Sequence, residues 1–234
     1  MDGVAAMEAL KKRAIPITRT QLLYMALCGL SSSQISAFLS GAEFLERKSG
    51  KTYRKDIILT HPEEMVQMKR WHELESKGFW ALTLFDDAYP DKLRDVEPVP
   101  YVLFGRGDCS VLTGFSLAII GSRKPSAYGI TCTNLFAGGL ARNGIVIISG
   151  LAYGIDSLAH RAALQVSCPT VAVLGNGIDT VYPASHRSLA EKIIQNGCLL
   201  SEYPPGEGAL PYHFVQRNRL ISGLSDGVLV IEAN

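Results

Sequence analysis

The amino-acid sequence predicts an α/β protein, an extended Rossmann-like doubly wound and mostly parallel sheet preceded by a small all-helical domain. Three observations predict it. From Phe115 onward, short runs that are apolar throughout alternate with helix-length segments, the pattern of a parallel sheet covered on both faces. Three of those runs pass directly into glycine, which permits the sharp turn out of a strand. Ahead of them, apolar residues recur instead at three- and four-residue steps.

In chain order, Leu22, Leu23, Ala26, Leu27 and Leu30 mark a first helix, and Ile35, Phe38 and Leu39 a second, with Ser31, Ser32 and Ser33 between them as N-cap candidates. They belong to a helical unit over about Thr18–Gln67, and the domain boundary is expected between residues 75 and 76. A connector follows, with a strand candidate at Trp80–Phe85, a turn at Asp86–Pro90 and an extended segment at Pro98–Phe104. The main strands are expected at Phe115–Ile120, Ile145–Ser149, Thr170–Leu174, Cys198–Ser201 and Val228–Glu232. Helices are expected between them, at Tyr128–Arg142, Asp156–Val166, Ser185–Gln195 and Phe214–Leu224.

A chain of 234 residues, 47% of them hydrophobic, can bury a sizeable core. No apolar run approaches the roughly 20 residues that cross a bilayer. Lys11, Lys12 and Arg13 are not followed by the apolar stretch of a signal peptide, so a cytoplasmic protein is expected. The five cysteines are too scattered for metal-ligand spacing and fit reduced core thiols. With a net charge of +1, an anionic partner requires a local patch. Seven of the nine basic residues from 101 onward are arginine, the side chain that grips phosphate with a bidentate fork.

Ligands of doubly wound sheets sit outside the carboxyl ends of the strands. There stand Gly121-Ser122-Arg123, Ser149-Gly150 and Gly175-Asn176-Gly177. A single glycine does no more than close a turn, but three such loops side by side predict a rim where main-chain N–H groups meet phosphate. Arg123 and Lys124 are expected to project over the crevice. On the last helix, Arg217 falls within the apolar stripe of Phe214, Leu220, Ile221 and Leu224. Burying a lone charge is costly, so Arg217 is expected to point from the first helical turn into the crevice. Asn218 lies beside it, and Arg219, on the opposite face, is either a contact or a solvated charge.

Asp156 and His160, four residues apart, have the spacing of a base with its orienting carboxylate. No nucleophile is placed to use them, and a capping aspartate with a locally bonded histidine is favoured. Glu202 and Glu232 at the strand ends are favoured as groups that orient Arg217 or cap loops over a catalytic pair. No G-x-G-x-x-G follows the first strand, and no His, Cys and Asp cluster occurs. Neither a dinucleotide, another nucleotide cofactor nor a metal is expected.

Five strings then identify a resemblance: AIIGSRKPSAYG from Ala118, SGLAYGIDSLAHRAAL from Ser149, AVLGNGIDTVYP from Ala172, LLSEYPPG from Leu199 and FVQRNRLISGLSDGVLVIEA from Phe214. In this order and register they resemble the DprA/Smf family of DNA-processing proteins over about Trp80–Ala233. The N-terminal helices are similar only in pattern to a SAM or helix-hairpin-helix unit. The resemblance implies a non-enzymatic protein that binds single-stranded DNA, protects it on entry during natural transformation and loads the RecA recombinase. It also implies a homodimer in full-length members.

The family's DNA-contact role falls on Arg123 of the GSR string, and on Arg217, Asn218 and Arg219. Where many members carry Lys or Arg, this chain has Tyr153 and Ala184. Tyr153 can stack on a base, and Arg187 can supply the displaced charge. Members continue past the EA of the last strand, so the Rossmann unit is expected to be incomplete at its C-terminal end. The main rival is a nucleotide-monophosphate phosphoribohydrolase, which needs a PGGxGT-like loop. The nearest stretch, Tyr203–Glu207, lacks its paired glycines. A protein-interaction module on a Rossmann scaffold is a third class.

Overall fold

Two capping boxes set the first helices. In the computed structural model, which describes residues 17–41 and 66–233 and the backbone of 44–46 and 52–54, Thr18 caps α1 (Arg19–Leu27) and Ser31 caps α2 (Ser32–Leu39). Each hydroxyl accepts from the N–H three residues on, while Gln21 or Gln34 reaches back to the cap. Before α3 (Val66–Glu75), β1 (Phe44–Glu46) pairs antiparallel with β2 (Thr52–Arg54). The expectation of an all-helical unit is corrected by this pair, whose Phe44, Thr52 and Tyr53 favour pleated backbone. Residues 1–16 and 55–65 of the expected unit, and with them Lys11–Arg13, lie outside the described residues.

The main sheet has seven strands in the order β3-β4-β8-β7-β6-β5-β9. They are β3 (Phe79–Thr83), β4 (Val102–Gly107), β5 (Ser116–Gly121), β6 (Val146–Ser149), β7 (Thr170–Leu174), β8 (Cys198–Ser201) and β9 (Gly227–Ile231). β5 to β9 pair with one another in parallel, and β4 pairs antiparallel with β8 and with β3 to add an antiparallel edge. The expected fold class is borne out.

Helices α4 (Ala127–Arg142), α5 (Ile155–Gln165), α6 (Arg187–Asn196) and α7 (Pro211–Leu224) connect the parallel strands. Strand alternation assigns their faces. Ile119 and Ile147 pack with Ala137, Ala141, Ile155 and Ala159 of α4 and α5. Ala118 and Ile148 point the other way, into the cluster that holds Leu220, Ile221 and Leu224 of α7. That second cluster continues through β4 into the N-terminal helices, where Trp71 meets Phe104 edge-on at 5.3 Å. Close packing extends to the sheet margin: Gly105 leaves no room for a Cβ because the Trp80 ring lies against it, its indole N–H donating to the Gly107 carbonyl at 2.8 Å.

Candidate functional site

The chain runs β5, β6, β7, β8 outward in one direction, then α7 carries it back to the other side of β5 as β9. This reversal is the topological switch point, where doubly wound sheets open a crevice. A crevice of about 620 Å³ lies there. Ile120, Val228 and Val230 form one wall and Val215 and Ile221 of α7 the other, while Ser122, Arg123 and Asn218 stand at its polar end.

The first loop is tightly tied. Ser122 N–H donates to the Glu232 carbonyl at 2.9 Å, its own carbonyl accepts from Ile155 N–H at 3.1 Å, and its Oγ accepts from Lys124 N–H at 3.1 Å. Gly154, at φ 76°, lies so close to the Ser122 carbonyl that a side chain there would collide with it. The loop is therefore held through Ser122 and the Lys124 N–H and offers outward the exposed side chains of Arg123 and Lys124.

The other two loops are closed. Ser149 is buried and donates its Oγ to the Ile119 carbonyl at 2.6 Å. Gly150 N–H donates to Asp156 Oδ2 at 3.1 Å, and a Cβ at Gly150 would lie 2.5 Å from the Arg217 guanidinium. Gly175 is covered by the Phe214 ring, and Gly177 N–H donates to the Glu207 carbonyl at 2.8 Å. The loop 203–207 is committed to that closure, with Gly206 N–H on Asp179 Oδ1 at 2.8 Å. The expected rim of main-chain donors is thus corrected for Ser149, Gly150 and Gly177, whose polar groups already have partners, and for Gly175, which lies beneath a ring.

Arg217 is 4% exposed. Helix α7 begins at Pro211, a favoured first helical position, three residues earlier than the apolar stripe indicated. Arg217 consequently sits in the second turn, over the sheet. Its Nη1 donates to the carbonyls of Gly150 and Val173, joining the ends of β6 and β7. Burial lowers its pKa to about 10, against the opposing pull of Asp156. Burial likewise raises the Asp156 carboxyl, opposed by Arg217 and by the N–H groups of Ala152 and Gly150. Arg217 still lines the crevice, as its floor.

Arg219 points away from that floor. Its Nη2 pairs with both Glu202 oxygens at 2.6 and 2.5 Å, and Ser32 Oγ of α2 donates to the same carboxylate at 2.5 Å. Glu202 thus orients Arg219 rather than Arg217. Glu232 accepts from Ser126 N–H at 2.8 Å beside the N-terminus of α4, where negative charge is favourable. His160 is fully buried, its Nδ1 2.8 Å from Thr170 Oγ1, and burial lowers its pKa to about 3. Neither the Asp156 and His160 pair nor the Glu202 and Glu232 pair presents a free acid or base. Among the described residues, no group of three or more His, Cys, Asp or Glu is placed to hold a metal.

Beyond Arg123 and Lys124, the exposed candidates are Tyr153, Arg187 and Asn218. Tyr153 and Arg123 border a second, smaller cavity beside Tyr182 and Phe214. Arg187 opens α6, outside both cavities. Sequence reasoning passed over Tyr182 and gave Phe214 only a core role. The Tyr-Pro pair at 182–183 and Pro211 at the helix start were the signals available.

The model of the family described as DNA recombination-mediator protein A matches residues 80–234. The chain belongs to the DprA/Smf family. It is 36% identical over 225 residues to the DNA processing protein DprA of Streptococcus pneumoniae, covering 93% of this chain and 79% of that one. It is 42% identical over 190 residues to the protein Smf of Escherichia coli, covering 80% of this chain and 50% of that one. The match thus spans only half the length of this curated relative. Among solved structures, the S. pneumoniae DprA crystal structure superposes with a TM-score of 0.66 at 34% identity, covering 97% of this chain and 77% of that one. A structure of DNA processing protein A from Helicobacter pylori, described for its single-stranded DNA binding mode, superposes with a TM-score of 0.59 at 35% identity, covering 67% and 70%.

Proposed function

We propose that this DprA/Smf protein binds single-stranded DNA at the switch-point crevice, protects it during DNA processing and natural transformation, and delivers it to the RecA recombinase. The observation that carries the reading is the pair Arg123 and Lys124, exposed at the end of β5 on a loop that Ser122 ties down through its N–H, its carbonyl and its Oγ. Their charges are free for phosphate, which contributes affinity without reading sequence. The binding described for the H. pylori relative supports the same ligand. Asn218 is a polar contact in this reading, Arg187 a flanking charge, and Arg217 the bracket that holds the floor.

The protein acts by binding rather than catalysis, in the cytoplasm and without metal or cofactor. The internal bonding of Asp156, His160, Glu202 and Glu232 supports that view. Among the described residues no helix is long and apolar enough to cross a membrane. Titrating fluorescent single-stranded and duplex oligonucleotides at several salt concentrations tests the reading, with parallel incubation with AMP. Tighter binding to single strands, a salt-dependent affinity and no free adenine are expected. Adenine release would instead establish the phosphoribohydrolase alternative.

A further inference from the structure

The turn that follows β6 is built by side chains from three helices. Gly150 and Ala152 donate their N–H groups to Asp156 of α5, and the Gly150 carbonyl accepts from Arg217 of α7. Between them the Leu151 carbonyl accepts from His186 Nδ1 at 2.9 Å. Leu151 is fully buried and holds left-handed backbone at φ 58°, a conformation that a residue other than glycine keeps only where its surroundings impose it. His186 occupies the N-cap position of α6, but its side chain makes no capping hydrogen bond and crosses to Leu151 instead. Because a carbonyl only accepts, Nδ1 carries the proton of that bond.

The same dipeptide reaches two residues further along the turn. The His186 ring meets the Tyr153 ring edge-on at 5.0 Å, and Ser185 Oγ shares a hydrogen bond with the Tyr153 hydroxyl at 3.0 Å. Ser185 and His186 thus grip the segment 151–153 at both ends. Ala152, in its middle, lines both cavities beside Arg123, whereas buried His186 lines neither. We propose that His186 is a positioning residue for single-strand binding: through the Leu151 carbonyl it holds the loop beside Arg123 in its binding shape before the strand arrives, without touching the strand. The proposal rests on the single-strand reading above. A loop ordered in advance spares the ligand the cost of ordering it. Without the Leu151 bond only a fraction of chains hold that shape, and the affinity falls by that fraction.

The test titrates fluorescent oligothymidylate at several salt concentrations against wild type, His186→Ala, His186→Asn and His186→Gln, each well below its melting midpoint. His186→Ala is expected to bind about 2- to 10-fold more weakly, the net worth of one hydrogen bond. Its salt slope should stay that of wild type, since no phosphate contact is lost. The Asn amide nitrogen stands as many bonds from Cβ as His Nδ1 does, so His186→Asn should restore most of the affinity. The Gln amide stands one bond further out, and His186→Gln should bind as weakly as His186→Ala. Lost packing alone would not favour Asn over Gln, so equal affinity of those two variants overturns the proposal, and this comparison stands even where His186→Ala fails to fold. Wild-type affinity in His186→Ala, or a shallower slope, overturns it as well. A wild-type chain that binds no oligothymidylate overturns the single-strand reading itself.

Discussion

Arg217 Nη1 lies 2.9 Å from the Gly150 carbonyl oxygen, so a cation of helix α7 locks the end of strand β6 at the point where the loop carrying Tyr153 begins. The same guanidinium reaches the Val173 carbonyl of β7 and is the buried countercharge of Asp156. Removing one member of such a buried set strands the other, at a cost of about 3–5 kcal/mol. Arg217→Ala should therefore unfold at much lower urea than wild type. Arg217→Lys, which keeps the charge and loses the fork, should fall between. An Arg217→Ala chain of unchanged stability with weakened DNA binding would make Arg217 a direct contact instead.

Arg123 is the opposite case. It is exposed at the crevice and its loop holds its shape through Ser122. Arg123→Ala should weaken binding to all oligonucleotide sequences alike and make the log–log salt slope shallower by about 0.7, the value for one phosphate contact on a single strand. Stability should change by no more than about 1 kcal/mol. A salt titration with a denaturant melt on the same variant checks both.

Arg219 serves as the internal contrast to Arg123. Its pair with Glu202, one guanidinium nitrogen against both carboxylate oxygens, is largely shielded and includes Ser32 from the N-terminal helices. Arg219→Ala should cost about 1–3 kcal/mol, the range for leaving a buried polar partner unsatisfied, and leave the salt slope of DNA binding as it is in wild type. A slope that becomes shallower would return Arg219 to the site.

His160 makes stability depend on pH. Its pKa falls from 6.5 to about 3 on folding, so between those values the unfolded chain binds the proton that the folded chain excludes. Stability is fully present above pH 6.5 and is lost as pH falls through the window, by up to about 1.4 kcal/mol per pH unit for one group. The raised Asp156 carboxyl acts with the opposite sign, since the folded chain holds that proton more tightly. Its window extends upward from the ordinary carboxylate value of about 4, and His160→Gln leaves it in place, so the difference between the two chains from pH 6.5 down to about 3 isolates the histidine. Urea melts across that interval should show a shallower slope for His160→Gln, and an equal slope would mean that His160 already shares its proton with the folded state.

The sequence by itself determined the architecture. Apolar runs such as Thr170–Leu174, alternating in order with helix-length segments, fit strands buried on both faces of a parallel sheet, and that order leaves few topologies open. It also determined that Arg123, one residue past the turn from β5, reaches the switch point. Tertiary structure decided which polar groups remain available there. Whether a Gly150 N–H is free depends on Asp156 six residues on, and whether Arg217 is a contact or a bracket depends on carbonyls 44 and 67 positions away. Such partners have no local periodicity to announce them. The pairing of Tyr153 with Tyr182 around one cavity has the same origin, because loops distant in sequence meet only after the sheet has brought its strand ends together.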